Sequence, residues 1–186
     1  MRYRKVLVPT AVLLLGVWAA TSVAAAGSER ESAVWTPREL TFTYKAFTTK
    51  YSCDSLRSKV KDVLLKLGAR ADIQVRTVGC TNLTGVDPLP AVNIKMQVLQ
   101  PAGAQTAQSV PASWKSVDFV MNRDPADVAG ECELMSQIAR EVLPLFATRN
   151  VQANTTCVPR TVIIGTTELK ADVLVAQSNE PRSTTR

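Results

Sequence analysis

The four cysteines of this 186-residue chain form two pairs with nearly the same spacing. Cys80 lies 27 positions after Cys53, and Cys157 lies 25 positions after Cys132. Each first cysteine is followed by a run with helical periodicity, then a turn, then a short strand-like run that ends at the second cysteine. A glutamine closes an alternating strand pattern 20 positions after the second cysteine of each pair. The repeated order predicts a duplicated folding unit that is braced by disulfides.

The first 26 residues have the features of a secretory signal peptide. Two arginines and one lysine stand within the first five positions, and residues 6–20 are almost wholly apolar. The three alanines at 24–26 supply the small residues that signal peptidase reads. We therefore predict cleavage after residue 26 and an exported chain, either periplasmic or secreted. An uncleaved membrane anchor is the alternative, and it is the only membrane contact that we expect.

Cleavage would also change the charge of the chain. The full sequence has 22 basic and 16 acidic side chains, for a net charge of +6. Loss of the three basic residues of the leader reduces this to +3. The remaining basic residues are scattered, and aromatic residues make up 5% of the chain. Nucleic-acid binders usually present a dense basic face with aromatic platforms, so we expect no nucleic-acid partner.

Four cysteines in an exported chain predict two disulfides, and helix and strand lengths select among the three possible pairings. A helix over residues 53–67 would be about 22 Å long. A return strand over residues 72–79 covers about 26 Å, which brings the second cysteine back beside the start of the helix. In the second half, the predicted helix and its return strand are also nearly equal in length. We therefore predict the pairs Cys53–Cys80 and Cys132–Cys157, each stabilising the fold by about 3–4 kcal/mol.

Apolar periodicity gives the element order β-α-β-β twice. Strand patterns cover residues 40–46, 73–77, 92–98, 117–121, 151–155, 161–164 and 169–175, and helical patterns cover 53–67 and 132–147. Residues 101–112 are predicted to be a connector and 122–130 an acidic loop, and Pro144 is expected to kink or end the second helix. Strands with one polar face indicate an antiparallel or mixed sheet. We predict an α+β two-layer sandwich with two helices on one mostly antiparallel sheet.

This pattern also gives the domain organisation. We expect a signal peptide at 1–26, a single α+β domain at 27–177 and a disordered tail at 178–186. The pseudo-repeats span residues 39–100 and 114–177.

The sequence contains no histidine. This removes Ser-His-Asp and Cys-His catalysis and the commonest zinc ligand. The cysteines lie far apart along the chain, which favours structural bridges over thiol redox catalysis. We therefore expect no catalytic residue, no cofactor and no metal site.

A cluster of acidic residues marks the predicted start of the second helix, together with a tryptophan near the start of the second unit. Calcium binding by this cluster is one interpretation, but the EF-hand spacing is missing, and helix capping is the simpler one. The candidate binding surface consists of Asp124, Asp127, Glu131 and Trp114.

The leading hypothesis is an exported, non-catalytic binding or assembly module. Its partner is an unknown protein or small ligand, and residues 81–91 and 122–131 are the loops expected to present a surface. One alternative is a secreted hydrolase or transferase that uses Asp124, Asp127 and Glu131 as acid and base. Another is an inhibitor of a second exported protein. The oligomeric state is left open.

Overall fold

A computed structural model describes residues 30–45, 47, 49–80, 86–87, 89–103, 108–120, 125–154 and 168–177. Within this set, the side chains of residue 120 and residues 125–130 are outside the description. The predicted signal peptide, the tail, the strand at 161–164 and Cys157 also lie outside the described residues.

Six strands and two helices make up the described chain. The strands are β1 (Arg30–Thr43), β2 (Gln74–Val78), β3 (Ala91–Pro101), β4 (Val110–Val120), β5 (Thr148–Asn154) and β6 (Glu168–Ala176). The helices are α1 (Cys53–Lys66) and α2 (Pro125–Glu141), and a single 3-10 turn (Leu143–Leu145) follows α2. The strands form one antiparallel sheet in the order β2-β3-β1-β4-β6-β5. The predicted α+β class with two helices and one sheet is therefore confirmed.

A short junction joins the two halves of the sheet. β1 pairs with β4 over four residues, from Arg30↔Ser113 to Ala33↔Val110. Beyond the junction, β1 pairs with β3 up to Thr43, and β4 pairs with β6 up to Val120. Each half is thus a three-stranded sheet that extends away from the junction. A helix begins or ends near the end of each half that is farthest from the junction.

Local sequence explains the boundaries of α1. The Ser52 hydroxyl accepts a hydrogen bond from the Ser55 amide at 3.2 Å, which caps the first turn. Leu56, Val60 and Leu64 form its buried stripe. The helix ends before Gly68, whose φ of +92° is a conformation that glycine adopts without strain. The helix predicted over residues 53–67 is confirmed.

The start of α2 differs from the prediction. The helix begins at Pro125, seven residues before Cys132, so residues 125–130 are helical rather than part of an acidic loop. Proline suits the first helical position because its missing N–H would have no partner there. At the other end, α2 stops at Glu141 and Pro144 lies in the 3-10 turn, as the sequence predicts.

β1 and β4 both begin earlier than their alternation predicts. β1 starts at Arg30 rather than near residue 40, and β4 starts at Val110, inside the predicted connector. Pro37 and Pro111 interrupt both patterns, because proline donates no hydrogen bond to a ladder. The first residues of the two strands pair with each other, β1 from Ala33 onward pairs with β3, and β4 from Ala112 onward pairs with β6. A local pattern cannot show these tertiary pairings.

The sheet packs differently on its two faces. The main core lies between the sheet and the helices and includes Phe42, Leu56, Ile94, Ile138 and Leu169. The opposite face carries a smaller cluster at the junction. Its buried members are Ala33, Leu99, Ala112 and Leu174, with Trp35, Val110, Trp114 and Ala147 packed against them. Neither described helix is long and apolar enough to cross a membrane.

Candidate functional site

The Cys53–Cys80 disulfide closes the end of the first half that is distal to the junction. It joins the first residue of α1 to the chain just after β2, with the two Cα atoms 6.4 Å apart. Cys53 is 7% exposed, whereas Cys80 is exposed. The predicted pairing is confirmed for this bridge. Cys132 is buried on α2, but Cys157 lies outside the described residues, so the second pairing stays a prediction.

A buried carboxylate lies against this disulfide. Oδ2 of Asp87 is 3.4 Å from Sγ of Cys53, and Asp87 is 8% exposed. An isolated antiparallel bridge between Val86 and Ser52 places Asp87 beside the start of α1. Both sulfurs lie within 4.8 Å of the carboxylate oxygen. Because the sulfurs are bonded to each other, neither is a thiolate that could bind a metal.

Four large apolar side chains are exposed at the same end of the sheet. They are Phe47 at 63%, Leu89 at 60%, Val78 at 43% and Val86 at 37%, and we call them the distal surface. Three contacts place their backbones at the same end of the sheet. The Tyr44 amide donates to Pro90 O at 2.9 Å, Val78 pairs with Ala91, and Val86 pairs with Ser52. Thr77 pairs with the core residue Val92, so the next side chain, Val78, points to the helix-free face.

Two buried polar residues of α2 hold the chain that follows β1. Gln137 Oε1 accepts from the Lys45 amide, and Gln137 Nε2 donates to Lys45 O, both at 2.9 Å. Glu133 Oε2 lies 3.1 Å from both the Phe47 amide and the Tyr44 hydroxyl, which donate to it. These contacts hold the backbone at Phe47 in place.

Tyr44 and Glu133 form the buried centre of this contact. Burial, followed by the neighbouring Glu133, raises the pKa of Tyr44 above its ordinary value. Glu133 does not cap the start of α2, because that helix begins eight residues earlier, at Pro125. Glu133 instead binds a different segment of the chain.

On the face opposite the helices, an arginine lies over each tryptophan. The Arg70 guanidinium is 5.7 Å from the Trp35 ring centre, and that of Arg149 is 4.6 Å from Trp114. Trp114 Nε1 also donates to a carboxylate oxygen of Glu31 at 2.8 Å. The stacked guanidinium groups cover these rings, which supports a packing role for them.

The residues of the predicted binding surface do not all share one face. Trp114 lies on the helix-free face, next to Leu174. Glu131 lies on α2, on the other side of the sheet, where its carboxylate pairs with Lys59 at 2.8 Å. Asp124 and the side chain of Asp127 are outside the description. The structure therefore does not bring Glu131 and Trp114 together.

Two cavities lie elsewhere in the described chain. One of about 230 Å³ lies between the helices, with an apolar floor and a charged rim; its lining includes Val63, Phe119, Leu134, Met135, Lys59, Lys66 and Glu131. The other, of about 330 Å³, lies beside β1 and β3, where Lys95 pairs with Glu39 at 2.8 Å. Neither is lined by a residue of the distal surface.

Comparison with protein-family models, with curated proteins and with solved structures finds no match for this chain.

Proposed function

We propose that this protein is a small exported, non-catalytic binding or assembly module that docks another protein through its distal surface. The observation that carries the proposal is the group of exposed apolar side chains at one end of the first half: Phe47, Val78, Val86 and Leu89. Exposed apolar residues scattered singly need no explanation, but several gathered at one place are typical of interaction surfaces.

The backbone under these side chains is held in place, which favours binding. Glu133 accepts from the Phe47 amide, and the Cys53–Cys80 bond anchors the chain two residues after Val78. Val86 is paired with Ser52. A surface that is already ordered loses less conformational entropy when it binds.

A protein partner fits this surface better than a small ligand. Small-molecule sites are concave and enclose most of the ligand. Side chains that project from the end of a sheet suit the apolar centre of a protein–protein interface.

Export is part of the same proposal. The leader-like first 26 residues and the Cys53–Cys80 bond both support an oxidising compartment outside the cytosol. We further propose that Cys132 and Cys157 form the second bridge. No thiol among the described cysteines is free.

We also propose that the two halves are copies of one ancestral unit. In the strand order β2-β3-β1-β4-β6-β5, each half has its second strand at the edge of the sheet, its third strand next to it and its first strand at the junction. The two halves therefore have the same strand order when each is followed from its own edge. Corresponding residues support this proposal because they are separated by the same 79 positions: Ala33 and Ala112, Trp35 and Trp114, Cys53 and Cys132, and Arg70 and Arg149.

A partner-capture experiment with matched variants tests the binding proposal. The tagged mature chain would be purified with its exported fraction under mild crosslinking and compared with a Phe47→Ser/Leu89→Ser double variant. We expect one partner to be captured by the wild type and lost from the double variant, with circular dichroism and thermal unfolding unchanged.

Val151→Ser is the control, because Val151 is 46% exposed on β5, in the other half of the sheet. We expect it to capture the partner as the wild type does. Equal capture by the double variant, equal loss in Val151→Ser, or no partner with the wild type would each contradict the proposal.

A further inference from the structure

We propose that the Cys53–Cys80 bond is a thiol–disulfide exchange site, which an external dithiol reduces reversibly in the folded protein. Asp87 is the hydrogen-bond acceptor for the Cys53 thiol in the reduced state. This inference concerns the chemistry of the bridge and does not rest on the proposed docking of a partner.

The first observation is the environment of the Asp87 carboxylate. Asp87 as a residue is 8% exposed, and its Oδ2 lies 3.4 Å from Sγ of Cys53. A disulfide sulfur carries no hydrogen, so the oxidised bridge donates nothing to this oxygen. Within the described residues, no other hydrogen bond or ion pair of this carboxylate is found. A carboxylate oxygen that packs against a sulfur in place of a hydrogen-bond donor is in an unfavourable position.

Reduction would supply the missing donor. A Cys53 thiol at the same position places an S–H group within reach of the Asp87 carboxylate. The reduced form would gain a hydrogen bond that the oxidised form lacks. Asp87 therefore shifts the equilibrium of this bridge toward the dithiol, which is the opposite of what a purely structural bridge requires.

The second observation is the asymmetry of the two sulfurs. Cys80 is exposed, while Cys53 is 7% exposed and is the first residue of α1. An external thiolate can therefore approach Cys80. The departing electron pair therefore falls on Cys53, where the amide groups at the start of α1 favour the negative charge and the adjacent Asp87 carboxylate opposes it until the sulfur is protonated.

The exchange balances as two displacements. A thiolate of the external dithiol attacks Sγ of Cys80, a new S–S bond forms, and the Cys53–Cys80 bond breaks with its electron pair going to Cys53. Cys53 takes a proton from water and donates it to a hydrogen bond with Asp87. The second thiolate of the reagent then attacks its own sulfur in the mixed disulfide and releases Cys80, which is protonated by water. Two electrons pass from the dithiol, now a cyclic disulfide, to the protein.

Equilibration with a redox buffer measures the contribution of Asp87. The full mature chain would be held in mixtures of reduced and oxidised dithiothreitol, quenched with an alkylating agent and digested with trypsin. Residues 51–57 and 77–95 are the peptides that carry Cys53 and Cys80. We expect Asp87→Asn to shift the equilibrium constant about tenfold toward the disulfide, which is about 30 mV for a two-electron couple.

Asp54→Asn is the matched control. It removes one acidic charge from the first turn of α1, next to Cys53, but the Asp54 side chain is 80% exposed. We expect its equilibrium constant to stay within about twofold of the wild type, since solvent screens an exposed charge. The same constant in wild type and Asp87→Asn, or an equal shift in Asp54→Asn, would overturn the proposal.

A second measurement uses only the wild type, in case Asp87→Asn does not fold. The rate at which dithiothreitol reduces the Cys53–Cys80 bond would be followed under native conditions. Attack on the folded protein predicts a rate that rises in proportion to the reagent concentration. A rate that is independent of the reagent concentration would mean that reduction awaits unfolding, and would overturn the proposal.

Discussion

The guanidinium of Arg149 lies 4.6 Å from the centre of the Trp114 ring, on the face of the sheet that no helix covers. Arg70 has the same relationship to Trp35, at 5.7 Å. In each half the arginine follows its tryptophan by 35 positions. The two pairs flank the junction at which β1 and β4 meet, so they cover the small apolar cluster there.

We expect Arg149→Ala to lower the free energy of unfolding by about 0.5–1 kcal/mol, because the cation–π contact and the cover over Trp114 are both lost. Urea unfolding followed by tryptophan fluorescence measures this. Arg140→Ala is the control, since Arg140 is an exposed residue of α2 whose described ion pair is with its neighbour Glu141. Equal losses in the two variants would contradict the role given to Arg149.

Removal of the Gln137 side chain should loosen the chain that carries Phe47. In Gln137→Ala, the amide and carbonyl of Lys45 lose their partners in two part-buried hydrogen bonds. We expect a loss of about 2 kcal/mol or more in unfolding free energy, which corresponds to a fall of several degrees in melting temperature. Gln152→Ala, at an exposed position of β5, should change stability by less than about 0.5 kcal/mol. A similar melting temperature for both variants would contradict the proposal that Gln137 holds the chain at Lys45.

The raised pKa of Tyr44 predicts a pH-dependent difference between wild type and Tyr44→Phe. The ordinary tyrosine pKa is 10.0, and burial with the adjacent Glu133 holds the folded value above it. Stabilisation by the neutral hydroxyl is therefore complete below pH 10 and is lost as pH rises from there toward the folded pKa.

At pH 7 we expect Tyr44→Phe to be less stable by about 1 kcal/mol, because its hydrogen bonds are gone. Above pH 10 the wild type should lose about 1.4 kcal/mol per pH unit from this group, so the difference between the two proteins should narrow. Urea unfolding of both proteins between pH 7 and pH 11 measures this. The other titrating groups are common to both proteins, and a constant difference would contradict the assignment.

Alanine substitution at three glycines distinguishes the cost of backbone strain from the cost of steric contact. Gly68 has φ +92°, and a Cβ there would lie 3.0 Å from Val175 Cγ1. Gly79 has φ +71° with nothing within 4 Å, and Gly103 has open space and no positive φ. We expect substitution by alanine to cost about 2–4 kcal/mol at Gly68, about 1 kcal/mol at Gly79 and less than about 0.5 kcal/mol at Gly103. Thermal unfolding gives the ranking, and a Gly79 variant as unstable as the Gly68 variant would contradict it.

The parts of the fold that depend on local pattern could be predicted from the sequence. The apolar stripe of α1, the stop at Gly68 and the alternation of β3 are properties of neighbouring residues. The Cys53–Cys80 pairing followed from helix and strand lengths. The early part of β1 could not be predicted in this way, because its partners Val110–Ser113 and Lys95–Pro101 lie far along the chain.

The candidate site was harder to predict for the same reason. Residues 81–91 were expected to present a surface, and the apolar Leu89 between two prolines is a signal within that loop. The burial of Glu133 and Gln137 gives no such signal, since polar residues four apart on a helix usually indicate a solvated face. The contact of Asp87 with the disulfide depends on the bridge between Val86 and Ser52, a tertiary pairing.

A non-reducing tryptic map of the exported protein tests the crosslinked two-unit scaffold most directly. We predict that peptide 51–57 is joined to 77–95, that peptide 124–140 is joined to 150–160, and that the first peptide begins at residue 27. A link between peptides 51–57 and 124–140, or between 51–57 and 150–160, would contradict two halves that are each closed by their own bridge.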